Sequence, residues 1–310
     1  MITRMRSCIE IALHPVLLGA SLVLVATLES AGLALLVALA VGYSVVTWCE
    51  SRFPAHPEWH QSPRERRTVL AVSLVGFVLL GVFAGLYGDR VRAPLALVRG
   101  RLGFDPWPTD WPLAIQILLA FFSAELVFYS IHRGLHRSTL LWRVSGHGFH
   151  HAFRNMHAPT FIASHLGDLA LLALPAALVA GALGASARVV AAAALLQTMN
   201  GLLAHANLRT RTPLIGLVLT TSDQHGIHHS SDLQQSNSNY GCNAILWDRL
   251  FGTFAEGPVQ QTGIGPFEPT LLEKLMLPFR EPRYVRTSPS AGRAHHPAGR
   301  DDASAPGSDG

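Results

Sequence analysis

Long apolar stretches, rather than short alternating or amphipathic ones, set the pattern of the first 131 residues. Ile11–Leu28, Ala31–Trp48, Thr68–Tyr87 and Pro112–Ile131 each meet or approach the roughly 17–25 apolar residues that carry a helix across a bilayer. They predict four membrane spans. Two later runs, Leu169–Leu183 and Arg188–Ala204, are shorter or rich in Ala and Gly, and the first contains Pro175. They predict a helical hairpin that need not cross fully. The fold class expected is all-α: an integral-membrane bundle of four spans plus a short helical hairpin, with a histidine-rich helical cap on the cytoplasmic side.

Composition agrees with the pattern. Of 310 residues, 49% are hydrophobic and 14% charged, more apolar material than a soluble core of this length needs. Arg4 and Arg6 precede the first run as they would in a signal peptide. A second span follows after almost no loop, so the segment reads as an uncleaved anchor. Arg4, Arg6, Arg52, Arg64, Arg66 and Arg67 put their loops, and with them the end of the fourth span, on the cytoplasmic side by the positive-inside rule. Asp89–Asp110, expected on the other face, disagrees with Arg90, Arg92, Arg99 and Arg101. The net charge of +4 suits anionic headgroups, and nothing points to nucleic acid. Cys8, Cys49 and Cys242 are too scattered for a metal knuckle or disulfide framework and read as small packing residues.

The candidate chemistry lies in the histidines. Nine of the 16 fall into four groups: His132 and His136; His147, His150 and His151; His205; and His225, His228 and His229. Residues three and four apart share a helix face, so each H-x-x-x-H or H-x-x-H-H group can aim two or three imidazoles at one place. Neutral imidazole ligates Zn, Cu, Fe and Ni. One group alone is more often helix-end hydration or packing, but this many exceeds what a single ion accepts and points to two metals. Glu125 precedes His132 by two helical turns, and an ionisable group inside a span is a functional candidate; a helix-packing carboxylate is the equal alternative. Asn200 and Asn207 flank His205, either to orient imidazoles or as caps and interhelical hydrogen bonds. His165 is a candidate extra ligand or support, with His157 behind it. His14, His56 and His60 read as surface or interface residues.

The arrangement resembles the fatty acid hydroxylase or sterol desaturase superfamily, membrane-bound di-iron oxygenases. The resemblance rests on Glu125 two turns before His132-Arg-Gly-Leu-His136, on Leu141-Trp142-Arg143, on both H-x-x-H-H groups and on His205-Ala-Asn207. It continues through Asn237-Ser-Asn239-Tyr240-Gly241 and Leu246-Trp247-Asp248-Arg249-Leu250-Phe251-Gly252-Thr253. The family more often has Asp where Glu125 stands, and some members carry H-x-x-x-H where this chain has His205 alone. The resemblance implies the nine grouped histidines as ligands of two iron ions, with Glu125, His165, Asn207 and Asn239 behind them or as extra ligands. It also implies O2 as co-substrate, a membrane lipid as substrate, and an external electron donor of the cytochrome b5-like or ferredoxin kind. The same imidazoles accept zinc in purified material. No Rossmann fingerprint supplies a nicotinamide or flavin.

The expected organisation is 1–110 as N-terminal spans and loops, 111–284 as the hydroxylase-like catalytic region, and 285–310 as a disordered tail whose composition cannot build a core. His295 and His296 fall in that tail. The implied reaction is hydroxylation or desaturation of an unactivated lipid C–H bond. A membrane zinc hydrolase or a metal transporter would use the same cluster, but no H-E-x-x-H is present, and transport favours ligands near the midplane between broken helices.

Overall fold

The computed structural model describes residues 2–27, 30–210 and 212–280; the tail expected from 285 onward lies outside them. The described residues are helical with irregular connections, and the β-type contact recorded is an isolated antiparallel bridge between Ser230 and Thr262.

Helix α1 (Ile2–Thr27) is followed by α2 (Ala31–Arg52), which starts where Ser30 Oγ accepts from the Leu33 amide. Helix α3 (Pro63–Tyr87) opens on a reciprocal Ser62–Glu65 capping box with proline in the first turn, where a missing N–H costs nothing. It does not stop at Tyr87. A π-helical turn, Gly88–Arg92, leads into α4 (Ala93–Arg101), so Pro63–Arg101 is one 39-residue apolar helix. Arg90, Arg92, Arg99 and Arg101 are therefore helical, where the hydropathy pattern predicts a loop. Helix α5 (Leu113–Arg137) likewise runs past Ile131 and carries His132 and His136 on its last turns.

Short helices follow: α6 (Thr139–Ser145) and α7 (Gly148–His151), then a 3-10 turn at Ala158–Ile162. The hairpin comprises α8 (Leu166–Leu183) and α9 (Ala187–Ala204), with Pro175 held inside α8. Beyond it lie α10 (Ser222–His228), α11 (Leu233–Ser236), α12 (Leu246–Phe251) and α13 (Leu271–Met276). Six helices are long and apolar enough to cross a membrane: α1, α2, α3 with α4, α5, α8 and α9. Both hairpin helices thus qualify beside the four expected spans. The protein is built as an integral membrane protein.

Helix α9 is the axis of the bundle and packs against α1, α2 and α5. Its small residues Ala192 and Ala193 are buried and let neighbouring backbones approach closely, as membrane packing requires. Outward-facing Leu36, Leu74, Val78 and Val16 are exposed, an apolar surface suited to lipid. His14 is not a surface residue: it faces α9, buried, with Nε2 2.7 Å from Asn200 Oδ1. Asn200 spends its side chain there and on Thr220 O (3.2 Å), not on a grouped histidine.

The 3-10 turn docks on α3 through Ser73 Oγ, which donates to Pro159 O at 2.6 Å. Beside it, a Cβ on Gly76 would stand 2.6 Å from the carbonyl oxygen of Ile162. Gly76→Val should therefore force backbone apart and cost about 1–3 kcal/mol, seen as a lowered thermal midpoint in detergent. Gly85→Val, on the same helix with nothing within 4 Å of its Cβ, should leave the midpoint unchanged.

Candidate metal centre

All nine grouped histidines meet where the ends of α5 and α9 face α7 and α10. They form two adjoining sets. His132, His136, His147, His151 and His228 make the first and His150, His205, His225 and His229 the second, with one ring nitrogen from each residue lying within 4.8 Å of the others of its set. The rings of His151 and His229 stack across the boundary at 4.3 Å. Each H-x-x-H-H motif is divided. His147 and His151, four apart, go to the first set while His150 goes to the second; His225 and His229 go to the second while His228 goes to the first.

The hydrogen bonds on the far sides of the rings show what the near sides offer. Nδ1–H of His132 donates to Tyr240 O (2.6 Å), that of His228 to Ser238 O (2.8 Å), that of His205 to Gly201 O (2.8 Å) and that of His150 to Ala163 O (3.4 Å). His147 Nδ1–H donates to Asp168 Oδ1 at 2.9 Å. Carbonyl and carboxylate oxygens only accept, so each neutral ring has its hydrogen on Nδ1 and a bare lone pair on Nε2. Yet Nε2 of His132 lies 2.9 Å from that of His147 and 3.1 Å from that of His228, and those of His150 and His205 are 3.2 Å apart. Facing lone pairs repel; these are not hydrogen bonds.

A cation resolves the conflict. Two nitrogens at right angles on one ion, each about 2.1 Å from it, stand about 3.0 Å apart, which matches the spacings here. His136 Nε2 is buried with no hydrogen-bond partner, a further donor left for an ion. Burial first, then the neighbouring imidazoles, holds His151, His225, His228 and His229 well below the usual histidine range. Burial brings His150 down to about 4. These five rings are thus neutral at physiological pH, the form that ligates metal. The donor set fits two ions.

The remaining candidates are placed less uniformly. Glu125 lies outside both sets: its carboxylate accepts from Gln197 Nε2 (2.7 Å), Asn243 Nδ2 (2.9 Å) and the Asn243 amide (3.1 Å). Asn239 is close behind the first set, its Nδ2 donating to Gln224 O at 2.9 Å and Ala255 O at 3.0 Å. His165 is not brought in; it caps α8, accepting from the Gly167 amide at 3.5 Å, and packs on Gly146. Asn207 is turned away, accepting from the His56 amide at 2.8 Å and donating to His56 O at 3.0 Å. His157 bonds Gln61 and Asn155. Sequence reasoning passed over Asp168, which orients His147 and accepts from Ser164 Oγ at 2.8 Å. Its signal was an acid opening an apolar run.

A cavity of about 290 Å³ lies between α2, α3, α5, α8 and α9, and its floor includes His132, His147, His150 and His225. Leu35, Phe77, Leu80, Phe128 and Leu172 make its walls apolar. One compartment inside the bundle thus reaches histidines of both sets.

Comparison with known proteins agrees with this centre. Residues 117–253 match the family model described as fatty acid hydroxylase. An ornithine lipid hydroxylase of Rhizobium tropici is 29% identical over 221 residues, 69% of this chain and 65% of the relative. Alkylglycerol monooxygenases of Danio rerio (27% over 194 residues) and Homo sapiens (24% over 159 residues) match 58% and 48% of the chain and 40% and 32% of their own lengths. The chain thus spans less than two thirds of each of these relatives. No solved structure matches it.

Two substitutions separate the sets. His229→Ala should leave metal at the first set alone, halving metal per protein measured by inductively coupled plasma spectrometry. Asp168→Ala, which frees the His147 ring, should weaken the first set about 10–100-fold and leave the second unchanged in metal titrations.

Proposed function

We propose, from the match of residues 117–253 to the fatty acid hydroxylase family model, that this protein is a membrane-bound di-iron oxygenase hydroxylating an unactivated C–H bond of a membrane lipid. The observation that carries this reading is the pairing of two histidine sets with one apolar cavity inside a helical bundle. His132, His136, His147, His151 and His228 hold one iron, and His150, His205, His225 and His229 the other. Iron bound there supplies the reduction of O2 to an oxidant able to take hydrogen from a saturated carbon. Zinc suits the same imidazoles and can replace iron during purification.

The chain's own contribution is placement. Phe77, Leu80, Phe128 and Leu172 exclude water and hold a hydrocarbon segment over the histidine floor, so that geometry chooses the carbon attacked. Glu125 and Asn239 act behind the ligands: Glu125 fastens the loop at Asn243, and Asn239 ties the turn beside His228 to α10. The relatives are named for polar lipids, ornithine lipid and alkylglycerol, and a polar membrane lipid is the substrate class proposed here. Hydroxylation is preferred over desaturation because those relatives are a hydroxylase and a monooxygenase.

Orientation follows the arginines near the chain start, with the histidine sets on the cytoplasmic side, where a cytochrome b5-like protein or ferredoxin delivers electrons. Residues 1–110 act as more than an anchor, since Leu35 and Phe77 line the cavity. The rival hydrolase needs a free carboxylate base beside a metal-bound water. Asp168 and Glu125, the two acids lining the cavity, are both engaged in the hydrogen bonds described above.

Lipid mass spectrometry of cells expressing the gene, lacking it, or expressing His150→Ala tests the proposal. A lipid gaining one oxygen only with intact His150 is expected; loss of two hydrogens would instead mark desaturation. Unchanged lipids in cells whose purified protein is fully iron-loaded would sink it. Thr198→Phe, filling the cavity wall, should lower turnover by about 100-fold with metal content intact.

A further inference from the structure

The carbonyls that fix His132 and His228 belong to one tight turn, Ser238–Gly241. His228 donates to Ser238 O and His132 to Tyr240 O, alternate carbonyls of a single segment. To present both, the intervening Asn239 takes a left-handed φ of 49°, a conformation asparagine tolerates better than most residues. The amides of the turn point away from the histidines, and two of them end on one carboxylate. The Tyr240 amide donates to Asp248 Oδ1 at 2.8 Å and the Gly241 amide to Asp248 Oδ2 at 2.7 Å. Thr253 Oγ1 adds a third donor at 2.6 Å. Asp248 is fully buried, where a carboxylate is costly unless hydrogen bonds meet its charge. Both of its oxygens are spent on this turn and its neighbour.

We propose that Asp248 is a positioning residue of the first histidine set, acting on His132 and His228 as Asp168 acts on His147. By gripping the amides of Tyr240 and Gly241 from behind, it aims the carbonyls of Ser238 and Tyr240 at His228 and His132. That holds both rings in the tautomer whose Nε2 is bare. Its effect is confined to one set. In the second, His205 is fixed by Gly201 of its own helix and His150 by Ala163, neither of which touches the turn. The inference rests on the dimetal reading and deepens it.

Asparagine at this position has one acceptor oxygen, and its NH2 would confront an amide N–H, so Asp248→Asn should loosen the turn without changing side-chain size. The test is titration of the metal-stripped full chain in detergent with Co(II), read by its visible spectrum and by metal per protein. The unaltered protein should take up two ions. Asp248→Asn should bind one of them about 10–100-fold more weakly and the other normally, with the thermal midpoint of the metal-free protein little changed. Thr253→Val, which removes one donor to the same carboxylate, should weaken the same ion to a smaller degree and serves if Asp248→Asn does not fold. Equal weakening of both ions, or wild-type binding of both, in whichever of the two variants folds, would overturn the proposal. Uptake of fewer than two ions by the unaltered protein would be a different failure, that of the dimetal reading itself.

Discussion

An imidazole has two nitrogens, and the centre depends on using them in opposite senses. Where Nδ1–H is committed to a carbonyl or carboxylate, Nε2 is left as a lone pair, and five of the nine grouped rings are fixed in this way. Several such lone pairs brought within about 3 Å of one another, away from water, repel unless a cation lies among them. The fold therefore commits itself to metal through its backbone carbonyls as much as through its histidines. A small shift of a segment that carries one of these carbonyls would weaken a ligand while leaving its ring in place.

The bundle and the polar segments beyond it divide this work. The ends of α5 and α9 bring His132, His136 and His205 into the two histidine sets, and their register follows from the packing of α9 on α5. The short helices α7 and α10 add the two H-x-x-H-H motifs. Each motif gives its i, i+4 pair to one set and its middle histidine to the other, so neither set can form without both helices. That crossed sharing binds the two sites into one unit, and it sets their floor beneath one cavity whose walls come from spans across the chain.

Much of this was legible because it is local. The positions of the four expected spans follow from hydropathy, though α3 and α5 run further than it predicts, and the grouping of the nine histidines follows from helical spacing, since residues three and four apart share a face whatever the rest of the chain does. The readings that changed were those in which a residue had more than one available partner. Asn207 follows His205 by two positions, yet its amide is consumed by the backbone of His56. His165 precedes α8 and is used as its cap. His14 stands alone in the sequence but meets Asn200 across the bundle. Asp168, which drew no reading from the sequence, orients His147.

Taken by itself, the chain determined that apolar helices would dominate and that imidazoles would be available in pairs and triplets at their ends. Both are consequences of short-range periodicity and of the cost of exposing unpaired backbone to lipid. Tertiary structure alone decided which imidazole joins which set, which carbonyl fixes each ring, and which acid is spent on a ligand rather than on a loop. Those choices join residues separated by as many as 118 positions, as Glu125 and Asn243 are. No local pattern encodes them, because a hydrogen bond of that kind exists only after the intervening helices have packed.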